Sequence, residues 1–236
     1  MHLVFIGAHP DDETFASGTI AKYVSRGHKA TIVQATRGGK GHWEMPTDEL
    51  RVIREKEMAK AAKILGADVK FLDFEDSNIP QGDVLREAFV EVYRELKPDI
   101  VLTFHPLVQR DDHRRVGEAA SDASLKASLP LHLTGYPAHR SEPDIYFYGA
   151  PITGQEPDTY IDITDYMPQK IESFRQHVSQ WQEWGKPPEE QGDFMERIVE
   201  RYSHRFREFG RKAGVGYAEA FISKSGRKYA HDLLPK

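Results

Sequence analysis

His2-Leu3-Val4-Phe5-Ile6-Gly7-Ala8-His9-Pro10-Asp11-Asp12-Glu13 is the stretch that decides the fold. Residues 2–8 form a short, unbroken apolar run, the pattern of a strand buried on both faces. The run ends in a turn that Pro10 stiffens by fixing φ. The chain then enters a helical pattern from about Glu13 to Ser25, closed by Gly27 after a basic last turn. A buried strand that feeds a helix through a rigid turn is the opening unit of a parallel α/β sheet.

The same alternation continues outward from this unit. Ala30–Ala35 predicts a second strand, and residues 48–65 predict a long helix closed by Gly66. Val69–Phe74, Asp99–Phe104 and Asp144–Tyr148 read as further strands, with a helix from Asp83 to about Lys97 and Pro98 as its stop. Later come short strands at 159–163 and 217–222 and helical stretches at about 165–184 and 191–213, with Gly185–Pro188 as the breaker. The expected fold is α/β, a Rossmann-like, mostly parallel sheet with helices on both faces, in one domain spanning residues 1–236.

Composition narrows the function classes. The 236 residues are 39% apolar, with 37 acidic and 32 basic side chains and a net charge of −5, as in soluble globular proteins. No electrostatic footprint for nucleic acid is present. The basic cluster Arg205, Arg207, Arg211 and Lys212 is interrupted by Glu208 and reads as a solvated helix face. No apolar run approaches the roughly 20 residues that span a bilayer. The opening residues read as a strand rather than a signal peptide. With no cysteine, any metal must rest on histidine and carboxylate, and a cytoplasmic location is expected. The glycines of Thr36–Trp43 lack Walker spacing, so nucleotide binding has little support.

In open α/β sheets, ligands sit beyond the carboxyl ends of the strands. The turn after the first strand can aim His9 and Asp12 at one point, while adjacent Asp11 and Asp12 diverge, leaving one carboxylate for a metal and the other for protons. Read alone, the acidic cluster could equally serve the helix dipole. The strand Asp99–Phe104 then leads into His105-Pro106-Leu107-Val108-Gln109-Arg110-Asp111-Asp112-His113 at the same sheet edge. His9, Asp12 and His113 together offer two imidazoles and a carboxylate, a set suited to a catalytic zinc with an open position.

These residues resemble the LmbE-like or PIG-L family of zinc N-acetylglucosaminyl deacetylases. The resemblance rests on Ala8-His9-Pro10-Asp11-Asp12-Glu13 and the downstream Asp-x-His, and it extends through Arg54-x-x-Glu57, Leu72-Asp73-Phe74-Glu75-Asp76, His177-x-Ser179-Gln180 and Gly216-Tyr217-Ala218-Glu219-Ala220-Phe221. The late motifs are similar to those of the diacetylchitobiose deacetylase branch. The resemblance implies Zn²⁺ on His9, Asp12 and His113, with Asp11 as general base. It implies a small N-acetylated amino-sugar substrate and a homo-oligomer, a trimer or hexamer. It places Arg54 and Asp76 where relatives bind sugar hydroxyls, and Trp43 on a rim loop where it could stack on sugar. Arg110 stands where many members carry a second histidine. Arginine can stabilise an anion but does not donate a proton at neutral pH. The acid is therefore open between Asp11 itself, His231 in the tail and His105.

Two other functions remain. A metal-dependent phosphoester hydrolase would want more carboxylates and a second metal about 3.5–4 Å from the first. A non-catalytic sugar-binding homologue would be consistent with Arg110. Acetate release, phosphate release and binding without turnover separate the three.

Overall fold

The computed structural model describes residues 1–149, 153–181 and 193–226. Seven strands form one sheet: β1 (His2–Gly7), β2 (Lys29–Thr36), β3 (Asp68–Phe74), β4 (Ile100–Phe104), β5 (Asp144–Tyr148), β6 (Thr159–Asp162) and β7 (Ala218–Ser223). The helices are α1 (Ser17–Ser25), α2 (Thr47–Leu65), α3 (Asp83–Leu96), α4 (Asp111–Ser128), α5 (Met167–Arg175) and α6 (Phe194–Ala213). No helix among the described residues is long and apolar enough to cross a membrane.

Strand order is β3-β2-β1-β4-β5-β7-β6. The first five strands are parallel, and β7 runs antiparallel to both β5 and β6. The Val4, Phe5 and Ile6 side chains of the central strand are wholly buried, as its unbroken apolar run requires. From β1 the chain steps outward to β2 and β3, then returns past β1 to β4. Right-handed crossovers therefore put α1 and α2 on one face and α3 and α4 on the other. The loops after β1 and β4 leave in opposite directions, and the crevice between them is the switch point where α/β sheets bind ligands.

The predicted strands are present, and the α/β, mostly parallel architecture is as expected. Three local differences have physical causes. The first helix begins as a 3₁₀ turn, Asp12–Phe15, before α1. The stretch predicted helical over 165–184 is a 3₁₀ turn, Thr164–Tyr166, followed by α5 and by turns at His177–Trp181. A helix not read from the sequence follows β4: α4 starts at Asp111, and His113 rides its first turn. Its acidic first turn suits the helix dipole. Its buried face is built from Val116 and small alanines, so the apolar pattern is faint. Gly117 lets α4 approach β4 closely, since a Cβ there would stand 2.3 Å from the Phe104 carbonyl oxygen. The Gly185–Pro188 breaker and His231 lie outside the described residues.

Candidate metal and active site

A cleft of about 1070 Å³ opens at the switch point. The turn after β1 is folded around one carboxylate. Asp12 Oδ2 accepts the backbone N–H groups of Ala8 and His9, both at 2.8 Å. That leaves Oδ1 facing Nε2 of His113 at 3.4 Å. Asp11 is forced into the left-handed region, φ 112°, a conformation that costs a non-glycine residue about 1–3 kcal/mol and persists only when its surroundings impose it. Arg54 imposes it here. Its buried guanidinium reaches Asp11 Oδ1 at 3.1 Å and donates to the carbonyls of Pro10 and Gly38.

His9 and His113 come together with ring centroids 5.3 Å apart. The His113 ring stacks on Phe104 at 3.8 Å. Burial, with the nearby His9 and Arg110, lowers His113 to about 3, so the ring is neutral and keeps a lone pair to offer. His9 Nε2 lies 3.1 Å from Asp112 Oδ2 and 3.2 Å from Asp76 Oδ1. An N–H directed at carboxylates fixes the tautomer and leaves the other ring nitrogen to ligate, the usual arrangement around metal-bound histidine. Asp112 is held in turn by the Ser77 N–H at 2.8 Å, and Asp76 by the Lys40 N–H at 2.7 Å.

Electrostatics follow from this convergence. Burial disfavours a charged His9, yet the carboxylates of Asp112, Asp76 and Asp12 outweigh it and raise the imidazole to about 10. Burial raises Asp11 to about 6; Arg54 opposes the rise and Asp12 adds to it. Four carboxylates around two imidazoles demand positive charge. The ligand atoms of His9, Asp12 and His113 all lie within 4.8 Å of one another. A tetrahedral ion with bonds of about 2.0–2.1 Å sets its ligands roughly 3.3–3.4 Å apart. The separation of 3.4 Å between His113 and Asp12 matches one edge of that tetrahedron. These three residues therefore fit a small divalent cation. A second trio, His9, Asp76 and Asp112, draws on the same imidazole, so it is no independent second metal set.

The remaining motif residues brace the turn. Glu13 pairs with Nε2 of fully buried His177 at 2.6 Å. Glu57 accepts the N–H and hydroxyl of Ser179 at 2.8 and 2.7 Å. Glu219 pairs with Lys170 at 2.6 Å and caps α1 by accepting the N–H groups of Gly18 and Thr19.

Of the other residues singled out from sequence, Arg110 and Asp76 line the cleft beside Asp11, and Arg54 lines it while holding Asp11. Trp43 does not line it: its side chain is 86% exposed, and Lys40 and Gly41 of the same loop form the wall instead. His105 packs edge-on against Phe147 at 5.2 Å, away from the cleft lining. Sequence reasoning passed over Asp112, whose only signal was its place beside His113. Arg205, read as part of a solvated face, is indeed exposed. It also lines the cleft, whereas Arg211 and Lys212 make surface pairs with Glu208 and Glu156.

The family model described as GlcNAc-PI de-N-acetylase, PIG-L, matches residues 4–124. A probable N-acetyl-alpha-D-glucosaminyl L-malate deacetylase 2 of Bacillus anthracis is 30% identical over 194 residues, 76% of this chain and 81% of that protein. The 4-oxalmesaconate hydratase of Pseudomonas putida is 27% identical over 193 residues, 76% of this chain and 74% of that one. Among solved structures, the N,N'-diacetylchitobiose deacetylase of Pyrococcus horikoshii superposes with a TM-score of 0.82 at 28% identity, covering 95% of this chain and 84% of its own. The sequence, the sheet and the turn that gathers His9, Asp12 and His113 agree: the chain belongs to the PIG-L family.

Proposed function

We propose that the protein is a zinc-dependent amidase that removes the acetyl group from an N-acetylglucosamine-containing sugar or glycoconjugate. The observation that carries this reading is the convergence of His9, Asp12 and His113 within 4.8 Å, with the Asp11 carboxylate on the adjoining residue of the same turn. Deacetylases among the relatives, acting on a malate conjugate and on diacetylchitobiose, support it.

His9, Asp12 and His113 would hold the ion, with Asp76 and Asp112 orienting His9. When bound, zinc contributes Lewis acidity, polarising the amide carbonyl and making water acidic enough to lose a proton near neutral pH. Asp11 is the base. At about 6 it is largely ionised at pH 7, yet close enough to neutrality to give the proton back. It takes a proton from water as the oxygen bonds to the acetyl carbon. It returns that proton to nitrogen as the C–N bond breaks, so acetate and a free amine leave. Asp11 can fill both roles, so the guanidinium at position 110 need not donate a proton. Arg110 instead offers fixed positive charge to the carbonyl oxygen as it becomes anionic.

The test is free-amine release from N-acetylglucosamine conjugates and short chitooligosaccharides, with metal content measured on the same samples. Asp11→Asn should retain zinc and lose turnover by about 10²-fold or more, and Asp12→Ala should lose the zinc itself. A nearly fully active Asp11→Asn would rule out Asp11 as the base. Hydration of an unsaturated tricarboxylate such as 4-oxalmesaconate without amine release would instead place the chain with its hydratase relative.

A further inference from the structure

Arg54 is only one half of the grip on Asp11. At the peptide that joins Asp11 to Pro10, charged side chains take both polar ends. The Pro10 carbonyl accepts from the Arg54 guanidinium, and the Asp11 N–H donates to Glu13 Oε2 at 3.1 Å. The Asp11 carbonyl accepts the N–H and hydroxyl of Thr14 at 3.1 and 2.6 Å. A peptide plane held at its carbonyl and at its N–H resists rotation, and this grip keeps φ of Asp11 at 112°.

The Glu13 half of the grip depends on His177. Both side chains are wholly buried, and Glu13 Oε1 accepts from His177 Nε2 at 2.6 Å while Oε2 serves Asp11. The other ring nitrogen, Nδ1, is buried with no partner among the described residues. An apolar ring would fill the same space without leaving a polar atom unmet, so packing alone does not account for an imidazole here. The position of His177 is set from α2. In the turn after α5, Ser179 gives its N–H and hydroxyl to Glu57, one turn from Arg54 on the same helix. α2 therefore reaches Asp11 by two arms, directly through Arg54, and from Glu57 through the His177 turn and Glu13. Asp12 is held differently, by the Ala8 and His9 N–H groups of its own turn. Separate devices thus secure the metal carboxylate and the base.

We propose that Glu13 and His177 are positioning residues for the base. His177 holds the Glu13 carboxylate against the Asp11 N–H, and that contact sets the direction in which the Asp11 carboxylate meets the water, without acting on the metal ligands. This inference rests on the deacetylase reading and adds to it two residues that do not line the cleft. Proton transfer needs donor and acceptor within hydrogen-bond reach, and a misplacement of about 1 Å costs on the order of 10²-fold in rate.

The test measures zinc affinity, kcat and KM for the zinc-loaded full chain carrying Glu13→Ala, Glu13→Gln, His177→Ala or both alanines, with rates corrected for folded fraction. Each single alanine variant should lose kcat by about 10²-fold, with KM and zinc affinity near wild type. Glu13→Gln keeps an oxygen for the Asp11 N–H and should recover most of that loss. Because His177 acts through Glu13, the double variant should be no slower than Glu13→Ala alone. The double variant also removes both buried partners together, so where an orphaned group unfolds a single variant, the same loss of kcat is read in the double one. Zinc affinity that falls in step with kcat would make the pair a brace for the whole turn and overturn the proposal. Unchanged kcat, or losses that multiply in the double variant, would overturn it too. Crystal structures of the wild type and the double variant give a readout independent of turnover. Asp11 should leave φ 112° while His9, Asp12 and His113 keep their places. A wild type that releases no amine defeats the deacetylase reading alone, and the structures still decide: an Asp11 backbone unmoved in the double variant overturns the positioning pair.

Discussion

Replacing Arg54 by glutamine tests how the turn tunes its base. The Arg54 guanidinium lies 3.1 Å from Asp11 Oδ1 and is 3% exposed, so solvent screens the pair weakly. In wild type, burial raises Asp11 to about 6 while Arg54 pulls it back. A neighbouring guanidinium lowers an aspartate by about 1–3 pH units. Without Arg54, Asp11 should rise by that amount, to roughly 7–9. A base works only when deprotonated, so activity is lost as pH falls through this value. The acid limb of the rate profile should therefore move upward by one pH unit or more. At pH 7 the ionised fraction, and with it kcat, should drop by roughly 2- to 100-fold, and most of the loss should be recovered near pH 9. The assay is amine release from pH 5 to 9, with melting curves and metal content confirming that the variant is folded and loaded. A loss confined to KM and equal at every pH would refute this reasoning and would make Arg54 a sugar-binding residue instead.

His177→Gln removes one partner of the buried pair with Glu13 and should cost about 3–5 kcal/mol in denaturant unfolding. Burial works against a charged His177, but Glu13 raises it above 6.5, so the pair's contribution is complete below pH 6.5 and fades as pH rises through the folded value. The stability gap should narrow as pH rises above about 6.5, and a gap that widens would contradict the pairing. Asp112→Asn should keep the fold and weaken zinc binding by about 10- to 100-fold in chelator competition, because His9 loses an orienting carboxylate. Unchanged affinity would remove Asp112 from the site. Gly117→Ala should destabilise the chain by about 1–3 kcal/mol, since its methyl group meets the Phe104 carbonyl, and an unchanged melting temperature would show that α4 can shift freely.

Residues whose roles are local were the ones legible in sequence. The apolar run of β1, the proline-stiffened turn and the pairing of His9 with Asp12 three positions later are all short-range patterns. α4 was hidden because its buried face is alanine and its interior holds Gly117, both of which mute the helical signal. The residues that complete the site come from separate elements. Asp76 follows β3, and Asp112 opens α4. Only the sheet order brings Asp76 and Asp112 onto His9, and no spacing in the sequence encodes that meeting. The solvated face read for Arg205 holds, and what the sequence did not show is that this face borders the cleft. Like Arg207 and Arg211, Arg205 is exposed, but its helical phase lays the guanidinium over Phe15 at the rim of the cleft. Trp43, an aromatic on a glycine-rich loop that suggested a sugar platform, is 86% exposed and outside the cleft lining.

Anomalous diffraction at the zinc edge, from crystals of protein loaded with one equivalent of zinc, bears most directly on the shared-ion site. The expected result is one peak bonded at about 2.0–2.2 Å to both imidazoles, His9 and His113, and to the Asp12 carboxylate. A peak elsewhere, or none within bonding reach of both imidazoles, would contradict it.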